Sequence, residues 1–283
     1  MGLFNYNIEK YSPKQLVIIP LVILAISLVL IALNMVSTGM PVTPGIDFSG
    51  GTAVTLITTD TKEQITSYFA EYPLVEVSDM GNGKFLKFGL MDDAKYKSLT
   101  SFINQKYPDA RIDQIGETFG KALQSQAVLA LIFSFIGMSI VVFLSFRTFV
   151  PSGAVVLSAF ADIVMTAAAM NIVGIPLSLG TLAALLMLIG YSVDSDILLT
   201  NRVLKRQGKL NDKLAGAFHT GIIMTTTTFA AISAMFLVSW FGAVQIIYEI
   251  SAVLLIGLLF DVMNTWLTNV GILKWYVLKG GGK

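Results

Sequence analysis

The sequence predicts a membrane all-α bundle of six transmembrane helices, with one small α+β domain inserted between the first two. Composition supports this class, since 54% of the 283 residues are hydrophobic and only 13% are charged, against about 25% in soluble domains. Six apolar runs reach the length of about 20 residues that a helix needs to cross a bilayer. Alternating β-branched residues and turn signals are confined to the segment between the first two runs.

The six apolar runs are expected to form the six helices in order. The predicted spans are Leu16–Val36, Ala127–Phe146, Val150–Val173, Leu177–Leu199, Ala217–Phe241 and Ile246–Leu273. The first should remain as a membrane anchor, because it lacks a clear Ala-x-Ala cleavage site and five more runs follow. Ser12 and Pro13 before it match the N-cap and first-turn positions of a helix. Small residues are expected at close helix contacts, among them Gly137, Gly153, Gly190 and Gly257.

Basic residues are distributed unevenly between the short loops. The loop at 201–213 contains five of them, whereas residues 174–176 and 242–245 contain none. Others flank the bundle on the same side: Lys10, Lys14, Arg147, Lys274, Lys279 and Lys283. By the positive-inside rule, both termini and loop 201–213 of this cell-membrane protein are expected in the cytoplasm. The chain then divides into residues 1–36, an external domain at 37–126 and a helical part at 127–283.

The external segment has the pattern of a small α+β domain. Its predicted strands are Gly51–Thr59, Leu74–Met80, Lys84–Leu90 and Ala110–Ile115, and its predicted helices are Lys62–Ala70 and Asp92–Tyr107. Gly81-Asn82-Gly83 between the second and third strands is a strong hairpin signal. The order βαββαβ is that of the ferredoxin-like, split βαβ arrangement.

Composition excludes several classes of function. The chain has no cysteine, which excludes disulfides, thiol chemistry and cysteine metal sites, and the single histidine leaves no spacing for a zinc site. A net charge of +1 gives no indication of a nucleic-acid partner. Separately from these exclusions, we expect no cofactor, no other metal and no enzymatic activity. His219 is expected to be a solvated interfacial residue, with a proton relay as the alternative.

Four aspartates inside the predicted spans are the candidate proton or ion relay. They are Asp162, Asp194, Asp196 and Asp261. A charge at the centre of a span costs roughly 2.5–3.5 kcal/mol on insertion scales, so an aspartate there is a functional candidate by default. Asp194 and Asp196 point about 200° apart on a helix, so they cannot both face one partner. We expect Asp194 in the interior, and Asp196 at the cytoplasmic interface or paired with Arg202 or Arg206.

Asp162 and Asp261 are expected to lie deepest, roughly 16–20 Å from the cytoplasmic end at about 1.5 Å per residue. The spans offer no basic residue to neutralise them, which leaves protonation, hydrogen bonds or a bound cation. Because burial disfavours a charged carboxylate, both could be neutral at rest and ionise when water enters. The alternative is that they are permanently protonated packing groups.

Polar neighbours could support these aspartates. Tyr191 and Ser195 flank them on the fourth span, and Thr225-Thr226-Thr227-Thr228 is an unusual polar run on the fifth. Thr225 or Thr228 could supply a hydroxyl to Asp194 or Asp162 across the helix pair. The alternative is that these threonines bond back to carbonyls of their own helix.

A glycine-rich motif follows the first span and opens the first strand, and its sequence is Gly45-Ile46-Asp47-Phe48-Ser49-Gly50-Gly51. Gly50 and Gly51 allow backbone angles closed to other residues, and the Asp47 side chain can bond nearby amides to fix a tight turn. We expect the motif, through Gly45, Asp47, Phe48, Gly50 and Gly51, to set the pose of the external domain on the membrane. The alternative is a hinge.

Two motifs and the order of elements carry a family resemblance. The Gly45–Gly51 motif resembles the G-[IL]-D-F-x-G-G signature of the SecD/SecF family of protein-export membrane proteins. Gly190-Tyr191-Ser192-Val193 is similar to the G-Y-S-[LV] motif on the fourth helix of the SecF branch. One helix, an external domain and five helices is also the family's order, so the similarity covers nearly the whole chain. The pattern is of the archaeal type.

The resemblance implies membership of the resistance-nodulation-division (RND) superfamily and an accessory role in the Sec translocase. The implied partners are a SecD-like subunit, the Sec translocon channel, exported polypeptides and the lipid bilayer. The implied mechanism couples export to proton movement past the aspartates. Two alternatives stay open: a passive scaffold of the translocon, and half of an RND-type small-molecule exporter, which predicts a larger external region than this sequence contains.

Overall fold

A computed structural model describes residues 10–280, so predicted features that rest on residues 1–9 or on Lys283 lie outside the described residues. Six helices in it are long and apolar enough to cross a membrane, which confirms the six-helix prediction. The elements in chain order are α1 (Pro13–Thr38), α2 (Ile46–Ser49), β1 (Gly51–Ile57), α3 (Lys62–Tyr68), β2 (Leu74–Met80), β3 (Gly83–Phe88), α4 (Asp93–Lys106), β4 (Arg111–Ile115), α5 (Glu117–Phe146), α6 (Phe149–Val173), α7 (Leu179–Lys205), α8 (Leu210–Phe241), α9 (Gln245–Met263), a π-helical segment (Asn264–Asn269) and α10 (Val270–Leu278). The last three run continuously and form the sixth membrane helix.

Local sequence sets several helix ends. Ser12 Oγ accepts a hydrogen bond from Gln15 N at 3.3 Å, with Pro13 in the first turn, as predicted. Ser178 caps α7 in the same way. Gly174 ends α6 in the left-handed conformation, with φ 81°, that glycine adopts without strain.

Three helices form the centre of the bundle. The most apolar parts of α6 and α7 are more than half buried and that of the sixth helix is 44% buried, whereas α1, α5 and α8 expose wide apolar faces. A Cβ on Gly257 would come within 2.4 Å of Leu188 Cδ2, so the close contact predicted there is confirmed. A Cβ on Gly137, Gly153 or Gly190 would meet nothing within 4 Å, so that prediction is wrong for them within the described chain.

Residues 51–115 form a sheet domain at one end of the bundle. The strand order is β2-β3-β1-β4 with every neighbouring pair antiparallel, so β3 lies between β1 and β2. Both helices, α3 and α4, cover one face, and their side chains share a core with the strands that includes Leu56, Ile65, Phe69, Leu86 and Leu99. The predicted four-stranded sheet with two helices is confirmed, and its second face is turned toward the bundle.

Several predicted boundaries are wrong, and the start of α5 and the loop between α7 and α8 differ most. Helix α5 begins at Glu117 rather than Ala127, because polar residues extend it beyond the apolar run, and Lys121 Nζ pairs with Glu117 at 2.7 Å. The predicted loop at 201–213 is mostly helical, since α7 continues to Lys205 and α8 begins at Leu210. The helices continue there because Val203 and Leu214 are buried in a shared apolar cluster.

Candidate functional site

Three aspartates in the centre of the bundle form a buried network, the acid cluster. It contains Asp162 on α6, Asp196 on α7 and Asp261 on α9, and none of them exposes more than 1% of its surface. Among the described residues, none of the three forms an ion pair. Their charge is therefore controlled by hydrogen bonding and by protonation.

Both carboxylate oxygens of Asp162 accept hydrogen bonds. Ser192 Oγ on α7 donates to Oδ2 at 2.6 Å, and Asn264 Nδ2 in the π-helical segment donates to Oδ1 at 2.7 Å. Thr268 Oγ1 donates to Asn264 Oδ1 at 3.0 Å, which fixes the orientation of the amide. Asp162 thus joins α6, α7 and the sixth helix.

Asp261 lies beside two hydroxyl groups that can exchange roles. Ser195 Oγ is 3.1 Å and Thr265 Oγ1 is 3.2 Å from Asp261 Oδ1, and the two hydroxyl oxygens are 3.2 Å apart. Ser195 Oγ also lies 2.9 Å from Ser192 O. A hydroxyl has a single proton to donate, so these contacts are alternatives and the pattern can change when a proton moves.

Asp196 is only partly satisfied. Asn269 Nδ2 donates to Asp196 Oδ1 at 2.8 Å. Asp196 Oδ2 is buried and has no hydrogen-bond donor among the described residues. An unpaired buried carboxylate oxygen is costly when the group is ionised, so this oxygen favours the protonated form of Asp196.

The π-helical segment supplies most of the polar groups around the acid cluster. Asn264, Thr265, Thr268 and Asn269 are all buried. Its wider turn brings Asn264 to Asp162 and also Asn269 to Asp196. Single π-helical turns within α-helices occur frequently at functional sites.

Asp194 lies outside the acid cluster, so the expectation for the two neighbouring aspartates is reversed. Asp196 is buried in the interior, and Asp194 is exposed on the outer face of α7. The cause is the packing of the opposite face of α7 against α6 and α9. Arg202 donates to Gly216 O and, at 2.7 Å, to Thr220 Oγ1, and it pairs with neither aspartate.

The predicted support from α8 is also wrong. Among the described residues, neither Thr225 nor Thr228 donates a hydrogen bond to Asp162 or Asp194; Thr227 bonds back to carbonyls of its own helix. The hydroxyls that do reach the cluster come from α7 and the π-helical segment. Tyr191 is half-buried and, within the described part of the chain, forms no hydrogen bond with the acid cluster, and His219 is exposed.

The Gly45–Gly51 motif ties the sheet domain to α7. Asp47 Oδ2 accepts a hydrogen bond from the backbone N of Leu179, the first residue of α7, at 2.7 Å. The prediction that the Asp47 side chain bonds amides of its own turn is therefore wrong. Gly45 N donates to Leu177 O at 2.7 Å. A negative side chain is favourable at the N-terminus of a helix, so Asp47 has an electrostatic reason to stay there.

The rest of the motif packs against α5. Phe48 is fully buried, and its carbonyl oxygen accepts a hydrogen bond from Gln124 Nε2 at 2.7 Å. Gly50 and Gly51 have φ values of 76° and 131°, and a Cβ on Gly51 would lie 2.5 Å from Phe88 O. The predicted need for glycine at both positions is confirmed.

Comparison with known proteins identifies the family. Residues 95–279 match the family model described as protein export membrane protein SecD/SecF, C-terminal. A relative from Methanolacinia petrolearia named protein-export membrane protein SecF is 61% identical over 99% of this chain and 100% of its own length. The chain belongs to the SecD/SecF family of protein-export membrane proteins. SecF proteins from Haloferax volcanii and Pyrococcus furiosus are 43% and 40% identical, over 96% and 97% of this chain and 95% and 94% of their own.

The fold is also that of solved SecD/SecF family members. The chain is similar to SecDF, a translocon-associated membrane protein from Thermus, with a TM-score of 0.76, 19% identity, and coverage of 98% of this chain and 40% of that one. SecDF in a super-membrane-facing form gives a TM-score of 0.61 at 18% identity, over 99% and 40% of the two chains. This chain therefore spans about two fifths of the solved structures.

Sequence reasoning assigned the SecD/SecF family correctly but missed five of the nine residues of the polar network. The missed residues are Ser192, Asn264, Thr265, Thr268 and Asn269. A signal was present, because polar residues at 261, 264, 265 and 268 recur at the spacing of one helix face. A polar stripe along an otherwise apolar span indicates a polar partner inside the bundle.

Proposed function

We propose that this SecD/SecF family member promotes protein export by the Sec translocase, acts together with a SecD-like six-helix chain, and couples export to the proton gradient through the acid cluster. The observation that carries the coupling is a set of three buried aspartates on three helices, which form no ion pair among the described residues and accept hydrogen bonds from hydroxyl and amide groups of α7 and the π-helical segment. Ionisable side chains inside a membrane carry a free-energy cost, so they are usually retained only where they serve a function.

The proposed coupling step is a change of protonation that rearranges hydrogen bonds between helices. Ionised Asp261 accepts from Ser195 and Thr265, whereas a protonated Asp261 can donate, which releases a hydroxyl to another acceptor. Moving one charge across 100 mV supplies about 2.3 kcal/mol. That is enough to shift a two-state equilibrium roughly fiftyfold.

Helix α7 is the proposed connection between the acid cluster and the sheet domain. It carries Ser192, Ser195 and Asp196 in the cluster, and its first residue, Leu179, is held by Asp47. A shift of α7 caused by proton movement would therefore move the Gly45–Gly51 motif and the sheet domain with it. The sheet domain would pull the emerging polypeptide or prevent it from sliding back.

The outer face of α7 favours the presence of a second six-helix chain. Asp194 is exposed there beside Gly190, whose side facing away from the bundle is open. A carboxylate facing lipid at that depth is unfavourable, and a glycine permits close approach of another helix. A SecD-like chain packed on this face would shelter Asp194.

The proposed orientation places the sheet domain outside the cell. Arg202, Lys205, Arg206 and Lys209 cluster at the end of the bundle opposite the sheet domain. Short loops rich in lysine and arginine remain in the cytoplasm.

The coupling is tested by replacing Asp162, Asp196 and Asp261 together with asparagine. Export of a secreted reporter is measured while an ionophore lowers the proton gradient in steps. We expect the variant to lose the dependence of export on the gradient, because asparagine cannot change its charge. The exposed Asp212 changed to asparagine is the control and should behave as the parent chain does.

The same measurement separates the alternatives. Unchanged gradient dependence in the triple variant would reject proton coupling at the acid cluster. Export that needs the chain but never responds to the gradient would favour a passive scaffold. Copurification from native membranes with a SecD-like chain would favour the export function over half of a small-molecule exporter.

A further inference from the structure

A cavity of about 580 Å³ separates the sheet domain from the bundle. Its roof is the face of the sheet that α3 and α4 leave uncovered, and its floor is formed by the first turns of α7 and α9. Apolar side chains line both sides, including Ala53 and Phe85 above and Leu179 and Ile246 below. Leu179 in its floor lies 13 residues before Ser192 on the same helix, roughly 20 Å at about 1.5 Å per residue, so the cavity is separate from the acid cluster.

The cavity extends around the free edge of the sheet. Strands β1 and β3 contribute alternate residues to it, as expected for one face of a sheet. Strand β4 is an edge strand, and it contributes Asp113, Gln114 and Ile115 in succession. Consecutive residues of a strand point to opposite faces, so the backbone edge of β4 itself borders the cavity. Edge strands present unpaired N–H and C=O groups that can pair with another chain.

The charges around the cavity are of both signs. Lys87 and Arg111 lie on the sheet side, and Asp47 and Glu249 lie on the bundle side. Glu249 exposes only 6% of its surface and is held by Gln245 Nε2 at 2.6 Å. Lys87 pairs with Glu76 and Arg111 pairs with Asp113, both at 3.2 Å. Because such partly exposed ion pairs contribute little free energy, a bound segment of either charge can exchange with them, which suits a ligand of varying sequence.

We propose that this cavity binds an extended segment of polypeptide, which adds to β4 as a fifth strand. The proposal rests on the proposed export function, because the ligand is then a stretch of the exported chain. Strand addition takes its affinity from backbone hydrogen bonds and places alternate side chains in pockets. Backbone pairing with β4, apolar walls and charges of both signs together favour an unfolded polypeptide over a small molecule.

The test uses the full chain in lipid nanodiscs and a fluorescent 12-residue peptide of alternating valine and threonine. A matched peptide carries N-methyl groups on alternate residues, which removes backbone donors and keeps the side chains. We expect the N-methylated peptide to bind at least about tenfold more weakly, since several hydrogen bonds are lost. Thr55→Trp, which fills the cavity, should abolish binding, and Thr55→Val should preserve it.

The place of binding is mapped by photo-crosslinking. The chain has no cysteine, so one cysteine can be introduced at Gln114 beside the cavity, or at the exposed Lys97 on α4 as the control. A benzophenone attached at 114, but not at 97, should capture the peptide. Equal affinity for both peptides, equal capture at both sites, or capture of a second copy of this chain at 114 would overturn the proposal. If any of those three results occurs while export still depends on the proton gradient, only the binding proposal fails and the proposed function stands. If export does not need this chain at all, the proposed function is rejected, whatever the peptide does.

Discussion

The Asp162 carboxylate is held by the Ser192 hydroxyl at one oxygen and by the Asn264 amide at the other. Asn264 Nδ2 donates to Asp162 Oδ1, and Thr268 holds the same amide from its other side. Aspartate accepts hydrogen bonds through either oxygen and in several directions, so without Asn264 the carboxylate could rotate away from α9. Sequence reasoning could locate the acid but not the amide that positions it, because the two lie 102 residues apart.

We predict that Asn264→Ala destabilises the bundle by about 1–2 kcal/mol, the range for interhelical hydrogen bonds in membranes. It should also weaken the gradient dependence of export, because Asp162 loses its fixed orientation. Thermal unfolding in detergent and the reporter assay measure the two effects. Ser139→Ala is the control, since Ser139 Oγ donates only to Phe135 O of its own helix, and a similar loss in both variants would contradict the prediction.

A second residue-scale prediction concerns the stability of the sheet domain at low pH. The Tyr107 hydroxyl donates to Asp60 Oδ2 at 2.6 Å, and this hydrogen bond lowers the pKa of Asp60 below its usual value. A lowered pKa contributes stability that is present above the unfolded pKa of about 3.9 and is lost as pH falls through the folded value. Tyr107→Phe should therefore destabilise the sheet domain at pH 7 and flatten its stability between pH 5 and the folded pKa. Hydrogen exchange of the amides of β1 and β4 across this pH range measures the stability of the sheet domain in both proteins. A pH profile of Tyr107→Phe identical to that of the parent chain would contradict the prediction.

At the scale of elements, helix packing depends on where a glycine faces. Gly257 on α9 lies against Leu188 on α7, which is fully buried and cannot move aside without disturbing its neighbours. Gly137 on α5 faces open space. The sequence alone offered no means of separating the two, because both stand in apolar runs of similar composition.

We predict that Gly257→Ala costs about 1–3 kcal/mol of stability through overpacking. Gly137→Ala should be neutral or slightly stabilising, because alanine is the better helix former. Paired unfolding measurements in the same detergent test this. Equal effects of the two substitutions would mean that α7 and α9 are packed less closely than the structure shows.

The sequence determined the helices more clearly than their ends. Long apolar runs predicted all six membrane helices, because length and hydropathy are local properties. The start of α5 at Glu117 and the π-helical segment at Asn264–Asn269 could not be predicted in this way. Both depend on tertiary partners: the Gly45–Gly51 motif contacts α5, and the acid cluster faces the π-helical segment.

At the scale of the whole molecule, polar groups are divided between the two faces of α7. One face gives Ser192, Ser195 and Asp196 to the acid cluster inside this chain. The other exposes Asp194 and Gly190, which this chain leaves uncovered. The first face could be inferred only in part from sequence, because a 200° separation shows that two aspartates diverge but not which one turns inward.

The uncovered face gives the prediction that tests assembly. Gly190→Leu should leave the stability of the isolated chain unchanged, because the space beside Gly190 is open, but it should prevent close approach of a second helix. We expect its copurification with a SecD-like chain to fall by at least about tenfold. Gly153→Leu on α6 is the matched control, since Gly153 also faces open space. If Gly153→Leu disrupts the pair and Gly190→Leu does not, the partner covers α6 instead of α7, and Asp194 requires another explanation.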